Sequence, residues 1–183
     1  MLYTRQGDKG LTRTFGCDQK ISKSSAVAEA LGSLDEINSF LGLCKVAGVK
    51  SGFLLGAESF AQIVHEMQQT LFIIQAEIAG SKMTVDEDKI KNAEYIVDTI
   101  EKILPPIKTF FISGGTELGA LFDVSRTIAR RAERRVVGVK EEGIVLVGEN
   151  TLAYLNRLSS VLYAMARLSN HLSGINEESP NYK

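Results

Sequence analysis

Residues 57–79 read AESFAQIVHEMQQTLFIIQAEIA, and this stretch carries the clearest signal for the fold. Its apolar side chains recur every three or four residues, the spacing that places them on one face of an α-helix. They are Phe60, Ile63, Val64, Met67, Leu71, Ile74 and Ile78. We therefore predict an amphipathic helix from Ala57 to Ala79, ended by Gly80 and Ser81.

Four further segments show the same helical period, and they are bounded by capping residues, glycines and prolines. Their predicted limits in chain order are Ala26 to the breaks at Gly48 and Gly52, Asp86 or Asp88 to Pro105, Ser113 or Thr116 to about Val139, and Thr151 to Leu168. Strand-like alternation is nearly absent from the chain. The sequence thus predicts an all-α fold, a five-helix up-and-down bundle with short connections.

The chain divides into three regions by composition. Residues 1–25 are rich in Gly, Thr, Lys, Arg and Asp without a helical period, so we predict an ordered or flexible N-terminal arm. Residues 26–174 form the helical bundle domain. Residues 175–183 form a polar tail, which we expect to be frayed.

Overall composition excludes several classes of protein. Hydrophobic residues make up 44% of the 183 residues and charged residues 23%, which excludes disordered and collagen-like chains. The net charge of −1 gives no overall field that would attract nucleic acid or an anionic membrane. We predict a cytoplasmic protein, because no secretory signal and no apolar stretch of membrane-spanning length is evident.

The soft metal ligands are few. Cys17, Cys44, His65 and His171 are the only cysteines and histidines, and they show no metal-binding spacing. We therefore predict no metal ligated by the protein, and we find no Ser/His/Asp or Cys/His constellation. An enzyme built on this chain would work by positioning and charge, or on a substrate that brings its own nucleophile.

Positive charge is concentrated in residues 126–135, which read RTIARRAERR and carry a local charge of +4. Arg126, Arg130, Glu133 and Arg134 share one face at helical spacing. One interpretation is a solvated face paired with acidic neighbours. The other is an anion site, since the planar guanidinium holds phosphate or carboxylate well.

A second candidate anion site lies in residues 4–12, which read TRQGDKGLT. Gly7 and Gly10 allow the backbone to approach an anion closely, and Lys9 adds positive charge. Asp8 could face a magnesium ion bound to phosphate. A simple turn is the alternative interpretation, and Lys23 could add a further phosphate contact.

Isolated polar residues in the predicted helices form further candidates. Asn156 lies within the apolar pattern of the fifth helix, where asparagine does not favour the helix, so we predict a hydrogen-bonding role. Asp35 and Glu36 lie in the first helix and are expected to have an arginine partner, with a structural salt bridge as the simpler explanation.

Five motifs occur in order along the chain: YTRQGDKG at 3–10, GSLDEINS at 32–39, GGTELG at 114–119, ARRAER at 129–134 and YLNRLS at 154–159. Together they strongly resemble the ATP:cob(I)alamin adenosyltransferases of the propanediol-utilisation type, from about Leu2 to Leu172. The resemblance implies a ferritin-like, cobalamin adenosyltransferase-like bundle. It also implies a homotrimer with active sites between neighbouring subunits.

The resemblance implies an enzyme that binds ATP, Mg²⁺ and cobalamin. It transfers the 5′-deoxyadenosyl group from ATP to cob(I)alamin and releases tripolyphosphate. Cobalt(I) is the nucleophile, so the protein needs no general base. An electron-donating reductase and an adenosylcobalamin-dependent enzyme are the further partners expected.

The resemblance also assigns roles to individual residues. The nucleotide-binding arm would comprise Thr4, Arg5, Gly7, Asp8, Lys9, Gly10 and Lys23. Arg130 would face the ATP phosphates, with Glu133 beside it and Asn156 toward the ribose. Arg126 would pair with Asp35 across the subunit interface. Phe110 would press on the lower corrin face and displace the axial ligand of cobalt.

The chain departs from the family pattern at Ser113, where proline is usual, at Cys17, which replaces a glycine, and at residues 24–27, which lack a common arginine. These departures motivate an alternative function, an ATP-binding sensor or cofactor-delivery protein without turnover. A nucleic-acid binder using the arginine-rich helix is disfavoured by the net charge and by the lack of interleaved aromatic residues.

Overall fold

The helical periods of the sequence become five α-helices in the computed structural model, which describes residue 3 and residues 5–14 and 20–182. The helices are α1 (Ala26–Ser51), α2 (Phe60–Ile78), α3 (Glu87–Glu101), α4 (Glu117–Glu142) and α5 (Glu149–Leu172). Two short antiparallel hairpins pair β1 (Leu11–Arg13) with β2 (Lys20–Ser22) and β3 (Leu54–Leu55) with β4 (Glu58–Ser59). The predicted all-α five-helix bundle is confirmed.

Side-chain caps set the first residues of three helices. The Ser25 hydroxyl accepts a hydrogen bond from the Ala28 N–H at the start of α1, and Ser59 and Gln62 form a capping box at the start of α2. Thr116, rather than Ser113, caps α4. The predicted start of α2 at Ala57 was wrong, because residues 54–59 turn through the β3–β4 hairpin.

The predicted break at Gly48 was also wrong. Helix α1 continues through Gly48 and ends at Gly52, which adopts a left-handed conformation with φ of 67°. Gly48 is buried, and a Cβ atom there would lie 3.3 Å from the Ala61 backbone nitrogen and 3.5 Å from Phe60 Cβ. Its missing side chain therefore allows α1 to approach the first turn of α2 closely.

The helices pack around one apolar core. Helix α1 contacts α2 and α4, and α5 contacts α4 and α3. All seven residues of the apolar stripe predicted in 57–79 are buried, which confirms that face of α2. Among the residues that the structure describes, none of the helices combines the length and the apolarity needed to cross a membrane.

A buried carboxylate completes the start of α5. Gly148 is the N-cap residue of α5 and has no side chain to satisfy the free N–H groups of the first turn. Glu77 of α2, only 3% exposed, accepts a 2.6 Å bond from the Gly148 N–H and a second bond from the Thr151 hydroxyl. One side chain of α2 thus serves as the cap of α5.

We expect Glu77→Ala to lower the free energy of unfolding by about 2–4 kcal/mol, because two charge-assisted hydrogen bonds and a helix cap are lost together. Urea unfolding followed by circular dichroism measures this change. Glu87→Ala is the matched control, since Glu87 is an exposed acid whose ion pair with Lys91 spans one turn of α3. A loss no larger than that of the control would contradict the capping role.

Two buried acidic groups make stability sensitive to alkaline pH. Burial raises the pKa of the Cys44 thiol from 9.0 to about 11, against a smaller opposing effect of its hydrogen bond to Ser125. Burial likewise raises the pKa of the Tyr154 hydroxyl from 10.0 to about 12. Both groups therefore ionise in the unfolded chain at a lower pH than in the folded chain.

The free energy of unfolding should consequently be steady below about pH 9 and should fall between about pH 9 and 12, by on the order of 2 kcal/mol per group. Urea unfolding at a series of pH values tests this expectation. Tyr154→Phe should remove the contribution that falls between about pH 10 and 12, and should leave the Cys44 contribution between about pH 9 and 11. A free energy that stays level up to about pH 11 in the unsubstituted protein would refute the prediction.

Candidate functional site

A cavity of about 620 Å³ opens between α4, α5 and the irregular segment 107–113. Its volume lies within the range typical of small-molecule sites. Three of the residues predicted for the site line this one cavity: Phe110 from the segment, and Arg126 and Arg130 from α4. The cavity is therefore the main candidate site of the single chain.

Phe110 is the most exposed aromatic side chain of this cavity. It is 79% exposed, although phenylalanine gains strongly from burial. Segment 107–113 belongs to no helix or strand, and its side chains Ile107 and Ile112 are also exposed, at 53% each. A flat apolar ligand that entered the cavity would find the Phe110 ring available for contact.

Four of the five arginines of α4 divide into two groups, an inner group at the cavity and an outer group that pairs with α1. Arg126 bonds through Nε to Asp123 at 3.4 Å and lies 5.8 Å from the centre of the Tyr163 ring, at the cavity. Arg130 follows one turn later and lines the same cavity. These two arginines are the part of the cluster for which the anion-site interpretation stays a prediction.

The outer group pairs with α1. Arg131 bonds to Glu36, and Arg135 lies 3.8 Å from Glu29. These arginines form the solvated, ion-paired face. The predicted arginine partner of the Asp35–Glu36 pair is found for Glu36, whereas Asp35 is exposed on α1.

Glu133 and Asn156 are joined directly. The Asn156 amide donates a 3.1 Å hydrogen bond to Glu133, and Arg157 donates to the Asn156 oxygen at 2.9 Å. Arg157 in turn bonds to Glu94 at 2.9 Å. The predicted hydrogen-bonding role of Asn156 is confirmed, and its amide links α4 to α5 within one turn of Arg130.

The N-terminal arm folds into a tight turn ahead of the β1–β2 hairpin. The Gly10 N–H donates to the Gly7 carbonyl at 3.2 Å, and the Lys23 N–H donates to the Gly10 carbonyl at 2.9 Å. Gly10 has φ of 76°, a conformation that favours glycine, and Arg5 has φ of 57°. The backbone of Gly7 to Gly10 therefore has the turn geometry that was the alternative interpretation of this stretch.

The arm also collects positive charge. Arg13, Lys20 and Lys23 surround a second cavity of about 260 Å³ next to Gly7. Asp8 and Lys9 are exposed on the turn. Thr4 and Cys17, which the sequence also singles out, lie outside the described residues.

Sequence reasoning missed Asn170 of α5, which is 6% exposed. Its side-chain oxygen accepts bonds from the N–H and the hydroxyl of Thr116, both at 3.0 Å, and its amide donates to the Gly114 carbonyl at 2.9 Å. A Cβ atom on Gly119 would lie 2.5 Å from that oxygen. The glycines of the GGTELG motif thus make room for Asn170.

Sequence reasoning also missed Arg167, whose side chain is 7% exposed. Its Nε donates to Glu177 at 2.9 Å, and its guanidinium lies 5.0 Å from the centre of the Phe111 ring. The Ile112 N–H donates to the Glu178 carbonyl at 2.8 Å. The tail is therefore bonded to segment 107–113 rather than frayed, because a buried arginine needs a carboxylate partner.

A signal for both missed residues was present in the sequence. Arg167 and Asn170 are polar residues three positions apart near the end of α5, where Ser169 and His171 are polar too, so their signal is weaker than the one that drew attention to Asn156. Tyr163 lies one turn before Arg167, and burial raises the pKa of its hydroxyl. The Tyr163 hydroxyl is therefore a neutral group that can donate a hydrogen bond at the cavity.

The chain is similar to known adenosyltransferases in sequence. Residues 2–169 match the family model for Cobalamin adenosyltransferase. A corrinoid adenosyltransferase of Bacillus subtilis is 36% identical over 184 residues, covering 96% of this chain and 90% of that protein. Corrinoid adenosyltransferase PduO of Citrobacter freundii is 34% identical over 93% of this chain, which spans 50% of that relative's length. The chain also spans 48% of the Salmonella typhimurium PduO, and so about half of each.

Solved structures show the same similarity. A phenylalanine-to-histidine variant of a PduO-type ATP:corrinoid adenosyltransferase from Lactobacillus reuteri, complexed with cobalamin and ATP, superimposes with a TM-score of 0.88 at 29% identity, covering 100% of this chain and 97% of that one. An arginine-to-lysine variant of that enzyme, complexed with ATP, gives a TM-score of 0.85 at 29% identity, covering 98% and 100%. By the family match, which spans most of its length, this chain belongs to the cobalamin adenosyltransferase family.

Proposed function

We propose that this chain transfers the 5′-deoxyadenosyl group of ATP to cob(I)alamin and releases tripolyphosphate. The observation that carries the proposal is the 620 Å³ cavity, which brings an exposed aromatic ring and two α4 arginines together in a chain of this family. The ring offers a surface for a flat macrocycle, and the arginines offer charge for a polyphosphate.

The reaction asks little covalent chemistry of the protein. The electron pair of cobalt(I) forms the Co–C5′ bond, the C5′–O5′ bond breaks, and its electrons leave with the triphosphate. The protein has to align C5′ with cobalt and to stabilise the charge that develops on the leaving group. The arrangement of Phe110 and Arg130 around one cavity suits these two tasks.

Phe110 supplies the corrinoid side of the site in this proposal. Its exposed ring would occupy the lower corrin face and displace the axial ligand, which makes cobalt(II) easier to reduce. Axial ligation is the corresponding control on the reduction potential of haem iron.

The ATP side combines α4, α5 and the arm. Arg130 would bind the phosphates, and the Glu133–Asn156 pair would bind the ribose, since its amide and carboxylate are already oriented by hydrogen bonds. From the arm, Arg5, Lys9 and Lys23 would contribute cations, and the Gly7–Gly10 turn would contribute backbone N–H groups. ATP enters as its magnesium complex, for which the exposed Asp8 carboxylate is a suitable oxygen ligand.

The complete site would form between subunits of a homotrimer. In the single chain, the arm and Arg130 line separate cavities, so a neighbouring copy would bring the arm of one chain to the α4 of another. Arg126 uses Nε for Asp123 and has further N–H donors for Asp35 of a neighbouring copy. The electron-donating reductase, the adenosylcobalamin-dependent enzyme and the cytoplasmic location belong to the same proposal.

An anaerobic assay tests the function. The protein is mixed with ATP, Mg²⁺ and cobalamin that has been chemically reduced to cobalt(I), and the absorption spectrum is followed. We expect adenosylcobalamin and tripolyphosphate to appear in equal amounts, and neither product to form without ATP. Tight ATP binding without either product would instead support the sensor or delivery alternative.

A further inference from the structure

We propose that Arg167 and Asn170 are positioning residues for Phe110, holding the two ends of the segment that carries it. This inference rests on the proposed role of Phe110 at the corrin face. The two residues lie three positions apart on α5 and so share one helical face. Phe110 itself is largely exposed, so its position depends on how its neighbours are held.

Asn170 fastens the C-terminal end of the segment. Its side chain makes three hydrogen bonds, two from Thr116 and one to the Gly114 carbonyl, four residues beyond Phe110. Because Gly115 and Gly119 both leave space for Asn170, the connection to α4 is fixed against α5 at this point.

Arg167 fastens the N-terminal end and the middle. Its guanidinium donates to the Pro105 carbonyl at 3.3 Å and lies over the ring of Phe111, the residue next to Phe110. One buried side chain therefore touches the chain before Phe110, at Pro105, and after it, at Phe111.

The tail completes this arrangement by neutralising the buried charge. Glu177, whose side chain is 16% exposed, pairs with Arg167, and the Glu178 carbonyl accepts from the Ile112 N–H. An arginine buried to this degree without its carboxylate would be costly. Loss of either partner should therefore release both the tail and the Phe110 segment.

The test compares two routes to the same product. Arg167→Met keeps the apolar stem and removes the guanidinium, and Glu177→Gln removes the countercharge alone. We expect each change to slow adenosylation that starts from cobalt(II) with a reductant by about tenfold relative to the reaction with pre-reduced cobalt(I), because small displacements of a positioned group are costly. Arg167→Lys should restore part of this ratio.

Hydrogen exchange gives a readout that does not depend on activity. The Ile112 N–H should exchange faster in Arg167→Met and in Glu177→Gln, whereas the Thr116 N–H, held by Asn170, should change less. If the unsubstituted protein makes no adenosylcobalamin, the proposed function fails, and this exchange measurement still tests the positioning. Lys89→Met is the control, since its ion pair with Glu66 joins α3 to α2, and it should alter neither readout.

Combination with Phe110→Ala decides the mechanism. The quantity compared is the rate from cobalt(II) divided by the rate with pre-reduced cobalt(I). If Arg167 acts through Phe110, Arg167→Met should not lower this ratio further in a protein that already carries Phe110→Ala. The proposal would be overturned if the two substitutions lowered the ratio of rates by independent factors that multiply. It would also be overturned if Arg167→Met slowed both routes equally, or if exchange of the Ile112 N–H stayed unchanged. If Arg167→Met does not fold, Glu177→Gln and Arg167→Lys decide it by the same criteria.

Discussion

Replacing Arg130 with alanine should lower kcat/KM for ATP by about 10²–10³-fold with pre-reduced cob(I)alamin, the effect typical of losing one preorganised donor to a developing charge. Arg130 is exposed on α4 at the cavity, one turn after Arg126 and within one turn of the Glu133–Asn156 pair. Its guanidinium is therefore placed where a triphosphate could be held in a fixed direction. Arg130→Lys should recover only part of the loss, since an ammonium lacks the planar fork.

The matched control is Arg135→Ala. Arg135 is an exposed arginine on the same helix, but it faces α1 and lies 3.8 Å from Glu29. Its removal changes the net charge equally and should change kcat/KM by no more than about twofold. Equal losses in the two variants would show a general charge effect, and normal turnover in Arg130→Ala would reject its phosphate role. Thermal melts of both variants exclude unfolding as the cause.

The fold was predictable because each helix carries its apolar stripe in local sequence. The stripe from Phe60 to Ile78 needed no knowledge of its neighbours, and the residue spacing alone defined the buried face. Helix ends were harder. Gly48 was predicted to end α1, yet it lies inside this helix. Its missing side chain leaves space for Phe60 of α2, and the residue spacing within one helix does not show such a contact between helices.

The site was predictable where the signal was chemical rather than geometric. The arginines of α4 stood out by charge, but which of them face the cavity depends on the register of α1 against α4, and this register pairs Arg131 with Glu36. Arg167 and Asn170 were missed because their partners in the 105–116 connection lie 62 and 56 residues away in sequence.

Replacing Phe110 with alanine should affect two steps differently, the reduction of cobalt(II) to cobalt(I) and the transfer of the adenosyl group, which a single activity assay combines. With pre-reduced cobalt(I), the reaction needs only alignment, and we expect a loss of no more than about tenfold. Starting from cobalt(II) and a reductant, we expect a loss of about 100-fold or more. If displacement of the axial ligand raises the cobalt(II)/cobalt(I) reduction potential by about 120 mV, a variant without this displacement has about 100-fold less cobalt(I) at the same reductant strength.

The measurement is the ratio of the two rates in Phe110→Ala and in the unsubstituted protein. Leu146→Ala is the control, because Leu146 is an even more exposed apolar residue, at 96%, in the connection between α4 and α5. The spectrum of bound cob(II)alamin adds a direct observation, since it should lose the four-coordinate signature in Phe110→Ala alone. Equal losses on both routes would mean that Phe110 binds the corrinoid without displacing its axial ligand. The reduction step would then have to be assisted by another group at the cavity, for which the neutral Tyr163 hydroxyl is the next residue to replace.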